Sequence, residues 1–150
     1  NDNGGKMVVD PSAGYDNFKW TGTNGRVRSI WNGSNTTDLQ YLINSAAEMR
    51  VVGNGMTGVP DWNPGASPQM TYTGNGIWTL TLALDANEEI KFLAGNDWGA
   101  FDYEDNSGGS QSVGTPRAIK WDGSDNFKTP ATAGTYTITL NENLQTVTIN

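Results

Sequence analysis

The sequence predicts an all-β fold, an antiparallel two-sheet β-sandwich. Two apolar runs alternate with period two: Trp78, Leu80, Leu82 and Leu84 against Thr79, Thr81 and Ala83, then Ile90, Phe92 and Ala94 against Glu89, Lys91 and Leu93. Turn signals stand between the runs, the strongest being Gly74-Asn-Gly76, flanked by Met70–Thr73 and Ile77–Leu84 as a hairpin. Nineteen glycines and six tryptophans, with many Thr and Asn, suit strands joined by turns better than helices.

In the first third the elements are short. Asn1–Lys6 is polar and expected to be loose. Met7–Val9, Phe18–Thr21 and Val27–Trp31 read as strands, the last two joined through Gly22–Gly25 as a hairpin. Thr37–Asn44 reads as a helical turn capped by Thr37 or Asp38, with Leu39, Leu42 and Ile43 on one face. Asn32 and Asn35 stand in glycosylation triplets, which are frequent by chance in a chain this rich in Asn and Thr. Trp20 and Trp31 are expected to pack this segment down.

From Met49 the pattern is regular. Met49–Val52 is a strand, and Met56–Pro68 is an irregular loop stiffened by Pro60, Pro64 and Pro68 around Trp62. After the hairpin, Asp85–Asn87 turns into the Glu89–Ala94 strand. That strand stops at Gly95-Asn-Asp97 and runs into a stretch presenting Trp98, Phe101 and Tyr103, read as an aromatic recognition surface held still by the sheet. Asn106–Gly114 is a loop, Ala118–Trp121 a short strand and Asp122–Asp125 a turn. Thr135–Leu140 and Gln145–Ile149 form a last hairpin. The chain divides into an unassigned segment, 1–47, and a domain, 48–150.

Composition excludes several chemistries. With no cysteine and no histidine there are no disulfides, thiolate sites, Ser-His triad or common zinc sites, and no cofactor is expected. A net charge of −7 argues against nucleic acid and against an anionic membrane surface as partners. No run of about eighteen apolar residues is present to span a bilayer. The chain starts at Asn1, so it is expected to be a fragment or processed product, with any targeting segment outside it. Asp102, Glu104, Asp105 and Asn106 suggest calcium, but the twelfth position of an EF-hand template counted from Asp102 is Val113, which favours a solvated acidic loop. A compact sandwich offers little cleft for the paired carboxylates of a glycosidase, so no enzyme activity is expected.

Residues from about 48 to 150 resemble the carbohydrate-binding modules of SusE/SusF-type outer-membrane lipoproteins of Bacteroidetes. The matching pieces are Met49–Gly53, Asp61-Trp-Asn-Pro64, Gly76–Leu80, Glu89–Phe92 leading to Asp97-Trp-Gly99, Asp125–Lys128, Ala133–Leu140 and Val147–Ile149. The resemblance implies an immunoglobulin-like, non-catalytic module that holds starch or another α-glucan at the cell surface. It implies a monomer displayed on the outer membrane through a lipid anchor outside this segment, beside other glycan-uptake components. It also implies that Lys91 and Asn126 contact sugar.

Sugar chemistry leads to a compatible set of residues. A pyranose lays its C–H face on a flat aromatic ring, and its hydroxyls need donors and acceptors at the rim. Trp62 in its proline-stiffened loop and Trp98 beside Asn96 and Asp97 fit that need, with Trp121 and Lys120 as an outer guess. Each has a plainer reading. Trp62 could anchor its loop, Trp98 could cap the sandwich, and Lys91 could be merely solvated. Trp78 and Tyr136 belong to the core by parity. The rival function is a structural spacer or protein-docking domain that binds no sugar.

Overall fold

The computed structural model describes residues 48–150 except 75, 106–108, 110, 122–124 and 143; before residue 48, and at Trp121, it describes only strand backbone. Every described element is a strand, and all pairings are antiparallel.

The first four strands are β1 (Gly4–Asp10), β2 (Asn17–Trp20), β3 (Arg28–Trp31) and β4 (Tyr41–Asn44). They make a four-stranded sheet in the order β2-β1-β4-β3. Three expectations change here. Gly4–Lys6 are strand residues rather than a loose end, since they pair with β4. The expected β2–β3 hairpin does not form: β2 pairs with β1, β3 pairs with β4, and the two lie at opposite edges. Tyr41–Asn44 is not helical but a central strand bonded on both sides. Its Tyr-Leu-Ile run suits a pleated strand, and two neighbouring strands satisfy more backbone groups than one isolated helical turn. The proposed cap at Thr37 or Asp38, the Gly22–Gly25 turn and the glycosylation triplets at Asn32 and Asn35 lie outside the described residues.

The remaining strands form two five-stranded sheets. They are β5 (Arg50–Gly53), β6 (Thr71–Gly74), β7 (Ile77–Leu84), β8 (Glu89–Leu93), β9 (Asp102–Glu104), β10 (Arg117–Ala118), β11 (Lys120–Trp121), β12 (Phe127–Lys128), β13 (Gly134–Asn141) and β14 (Thr146–Ile149). One sheet runs β10-β14-β13-β7-β6. The other is built on β8, which takes β5 along one edge and shares the other between β9 and β12, with β11 outside β9. The expected single strand Ala118–Trp121 is split, because Arg117–Ala118 pairs in one sheet and Lys120–Trp121 in the other, with Ile119 buried at the crossing.

The inner faces of these two sheets meet in one core. Val51, Ile90, Phe92, Tyr103 and Phe127 from the β8 sheet pack with Trp78, Leu84, Ile138, Leu140, Val147 and Ile149 from the other. Trp78 is buried as parity requires, while Leu80, Leu82 and Tyr136 pack against the core partly buried. Phe101 and Tyr103 were expected on the recognition surface, but they are buried and meet edge-to-face with ring centroids 4.8 Å apart. Both belong to the core because β9 returns antiparallel beside β8, with Tyr103 opposite the inward Phe92.

A buried carboxylate ties the sheets together. Trp78 Nε1 donates to Glu142 at 3.0 Å from one sheet, and the Tyr103 hydroxyl donates to it at 3.1 Å from the other. Gly53 allows the chain to pass directly over β8. A Cβ there would collide with the backbone carbonyl of Glu89, which accepts from the amides of Asn54 and Gly55.

Candidate functional site

Alternation on β8 sends Ile90 and Phe92 inward and leaves Glu89, Lys91 and Leu93 on the opposite face. The neighbouring strands extend that outer face with Val52 of β5 and with Asp102 and Glu104 of β9. The loops at its edge carry the two candidate rings.

The Trp98 loop is closed at its base by the Ala94 amide donating to the Phe101 carbonyl at 2.7 Å. Its tip is a β-turn over Asp97–Ala100, in which Ala100 N donates to Asp97 O at 3.1 Å. Asp97 Oδ1 also accepts from Gly99 N at 2.8 Å, a local bond that short acidic side chains make well. Trp98 therefore occupies the first central position of a doubly bonded turn and is 54% exposed.

The Trp62 loop is pinned as firmly. Trp62 N donates to Gly53 O at 3.1 Å, and Asn63 O accepts from both Ala66 N and Ser67 Oγ. Arg50 Nη1 holds Ser67 O at 2.7 Å. Trp62 itself has φ of 48°, a left-handed backbone that a bulky residue rarely adopts and that costs about 1–3 kcal/mol. The contacts around it hold the ring partly buried on Val52, Leu93 and Ala100. Leu93 is thus buried on the face where alternation predicts exposure, because the Trp62 loop covers it.

The two loops meet, and the structure brings Trp62, Trp98 and Lys91 together. The ring centroids of Trp62 and Trp98 are 6.5 Å apart with planes inclined by 32°, and Lys91 Nζ lies 5.6 Å from the Trp98 centroid, in cation–π range. The rings form a shallow, bent surface rather than a coplanar one. Asn96 is exposed in the same loop, its carbonyl bordering Gly65 of the Trp62 loop.

Lys91 is heavily engaged. Its ammonium donates to Asp102 Oδ2 and to Glu104 Oε1, both at 2.6 Å. Burial pulls its pKa down, but the hydrogen bonds to Asp102 and Glu104 and the charge of both carboxylates outweigh that, and the net direction is up. The side chain is held within the sheet surface, with 15% of it exposed.

Asn126 Nδ2 donates to Glu89 Oε2 at 3.0 Å, and Lys128 Nζ donates to Glu89 Oε1 at 2.6 Å. These bonds, that of Lys128 first, lower the Glu89 pKa. Trp121 lies on β11 with its backbone opposite Tyr103, and its side chain lies outside the described residues. Lys120, opposite Glu104, is exposed.

In sequence, Asp102 and Glu104 suggest only calcium. In the structure both turn to Lys91, and Asp105 is buried against Arg117 at 2.6 Å. The alternation Asp102-Tyr103-Glu104 carried the signal: once Tyr103 is inward, both flanking carboxylates must be outward. Among the described residues no group of three or more acidic side chains is arranged to hold a metal ion, and no helix is long and apolar enough to cross a membrane. Neither a scan of protein-family models nor a search of curated proteins finds a match to this chain.

Proposed function

We propose that residues 48–150 act as a non-catalytic carbohydrate-binding module, with Trp62 and Trp98 as its stacking surface. The observation that carries this reading is an exposed tryptophan fixed at the tip of a bonded turn, against a second tryptophan, beside hydrogen-bonding side chains on a rigid sheet. Exposing a large ring wastes apolar burial unless something covers it. A sugar's C–H face does so without a deep pocket. The bend between the rings suits a curved chain, and the resemblance to starch-holding surface modules makes an α-glucan the first ligand to offer. In that setting the domain is a monomer on the external face of an outer membrane, anchored by a lipid outside this segment and working beside other glycan-uptake components.

The spacer reading draws on one observation: Trp62 is partly buried and covers Val52 and Leu93, as a loop anchor would. Affinity electrophoresis in gels containing starch, β-glucan, xylan or mannan separates the two. Wild type is expected to be retarded by at least one of them. Trp98→Ala should weaken that retention by about fivefold or more, the equivalent of about 1 kcal/mol of stacking. Because Trp98 is largely exposed, the variant should keep its melting temperature within a few degrees. No reducing sugar should be released from any of the polysaccharides. If the wild type migrates unhindered in all of them, the spacer reading replaces this one.

A further inference from the structure

The resemblance assigns the polar contact to Lys91, but the geometry points to the carboxylates that hold it. We infer that Asp102 and Glu104 form the hydroxyl-accepting edge of the Trp62–Trp98 site and make it select neutral glycans over uronate-bearing ones; this rests on the carbohydrate-binding reading.

Lys91 has three N–H donors, and two of them are committed to Asp102 Oδ2 and Glu104 Oε1 at 2.6 Å. Its charge is matched by two opposite charges, so it offers little to an incoming anion. Each carboxylate uses one oxygen on Lys91. The other oxygen, Asp102 Oδ1 or Glu104 Oε2, has no further hydrogen bond among the described residues and is not sealed from solvent. The side chains of Asp102 and Glu104 are 21% and 14% exposed, respectively. They are therefore held still yet can be reached.

The same ammonium lies 5.6 Å from the Trp98 ring centroid and in contact with both carboxylates. All three groups therefore sit within the span of one or two sugar rings. A sugar stacked on Trp98 would bring hydroxyls to that edge, and an ionised carboxylate accepts from a hydroxyl more strongly than a neutral oxygen does. Lys91 acts as a positioning residue: it spaces the two acceptors and offsets part of their repulsion. Asp97 at the loop tip, Asp102 and Glu104 outnumber Lys91 and the exposed Lys120 opposite Glu104, which leaves the site net negative, so a sugar carboxylate there meets like charge.

The test offers soluble starch, a mixed-linkage β-glucan and a galactomannan, each beside its C6-carboxylated form, to wild type and to the double variant Asp102→Asn/Glu104→Gln, with binding read by calorimetry. Wild type should bind at least one neutral polymer and bind its carboxylated form at least tenfold more weakly. The double variant, first checked for folding, should lose at least fivefold on the neutral polymer. With Lys91 released from ionised partners, it should also gain on the carboxylated form. That gain distinguishes local selection from the repulsion due to the chain's overall acidity, since the variant remains acidic overall. Equal wild-type binding to a neutral polymer and its carboxylated form overturns the selection and leaves the module reading standing. A folded double variant that binds the neutral polymer as well as wild type removes the carboxylates from the site. If wild type binds none of the neutral polymers, both the inference and the module reading fall. The wild-type comparison stands even if the double variant does not fold.

Discussion

Replacing Glu142 by Ala tests how the sandwich is held together. Glu142 is buried just beyond β13, and it accepts from Trp78 on one sheet and from Tyr103 on the other, at 3.0 and 3.1 Å. Each bond to a charged group contributes about 1.5–3 kcal/mol, and a buried donor that loses its acceptor incurs its full desolvation cost. Two such bonds suggest about 3–6 kcal/mol, to which the lost side-chain volume adds. Relief of burying a carboxylate works the other way, so the expected net loss is about 3–5 kcal/mol. For a domain of this size that is a large part of the total stability. The assay is urea unfolding followed by tryptophan fluorescence, with the m-value checked for constancy. Tyr103→Phe alone should cost about 1.5–3 kcal/mol, and a double-mutant cycle should show strong coupling, because both substitutions remove the same bond. A Glu142→Ala loss under about 1 kcal/mol, or additive effects in the cycle, would mean that the carboxylate does not bridge the sheets.

Gly53→Ala should destabilise by about 1–3 kcal/mol, since its methyl would meet the Glu89 backbone, which cannot withdraw without breaking β8; an unchanged urea midpoint would show that β5 and β8 are spaced differently. The acid limb of stability should respond to Glu89. Its folded pKa is lowered, first by the Lys128 hydrogen bond and then by Asn126, so its contribution is complete above the unfolded value of about 4.3 and is lost as pH falls through the folded value. The group is more than a third exposed, so the effect is small. Melting temperature measured from pH 2 to 7 should fall slightly less steeply in Glu89→Gln, and a steeper fall would reverse the assignment. Lys91 works at the other limb, where its raised folded pKa keeps the ion cluster intact up to the ordinary lysine value of about 10.4 and releases it only as pH rises through the folded value. Lys91→Met should therefore flatten the melting-temperature profile between pH 9 and 12.

How much was legible from the residues varied with how local the determining physics was. The hairpin at Gly74–Gly76 and the inward side of β7 needed only turn chemistry and period-two alternation, which neighbouring residues express among themselves. Tyr41–Asn44 is a strand where the sequence predicts a helical turn, because a short apolar run satisfies both equally until its pairing partners are known. Phe101 and Tyr103 face inward where the sequence predicts a surface, because Gly95–Ala100 reverses the chain and breaks the parity count. Only the pairing of Tyr103 with Phe92 says which side they face.

The candidate site divides along the same line. Sequence alone determined that this chain would carry tryptophans in stiffened or glycine-bounded loops beside a charged strand, without histidine, cysteine or a basic surface, because residue types and turn residues are local properties. Only the tertiary structure decided that Trp62 and Trp98 would meet at 6.5 Å, that Trp62 would be half covered, and that Lys91 would be held by Asp102 and Glu104. Those outcomes depend on which strand pairs with which and in what register, and a one-residue shift of β9 against β8 would turn both carboxylates into the core and Tyr103 out to solvent.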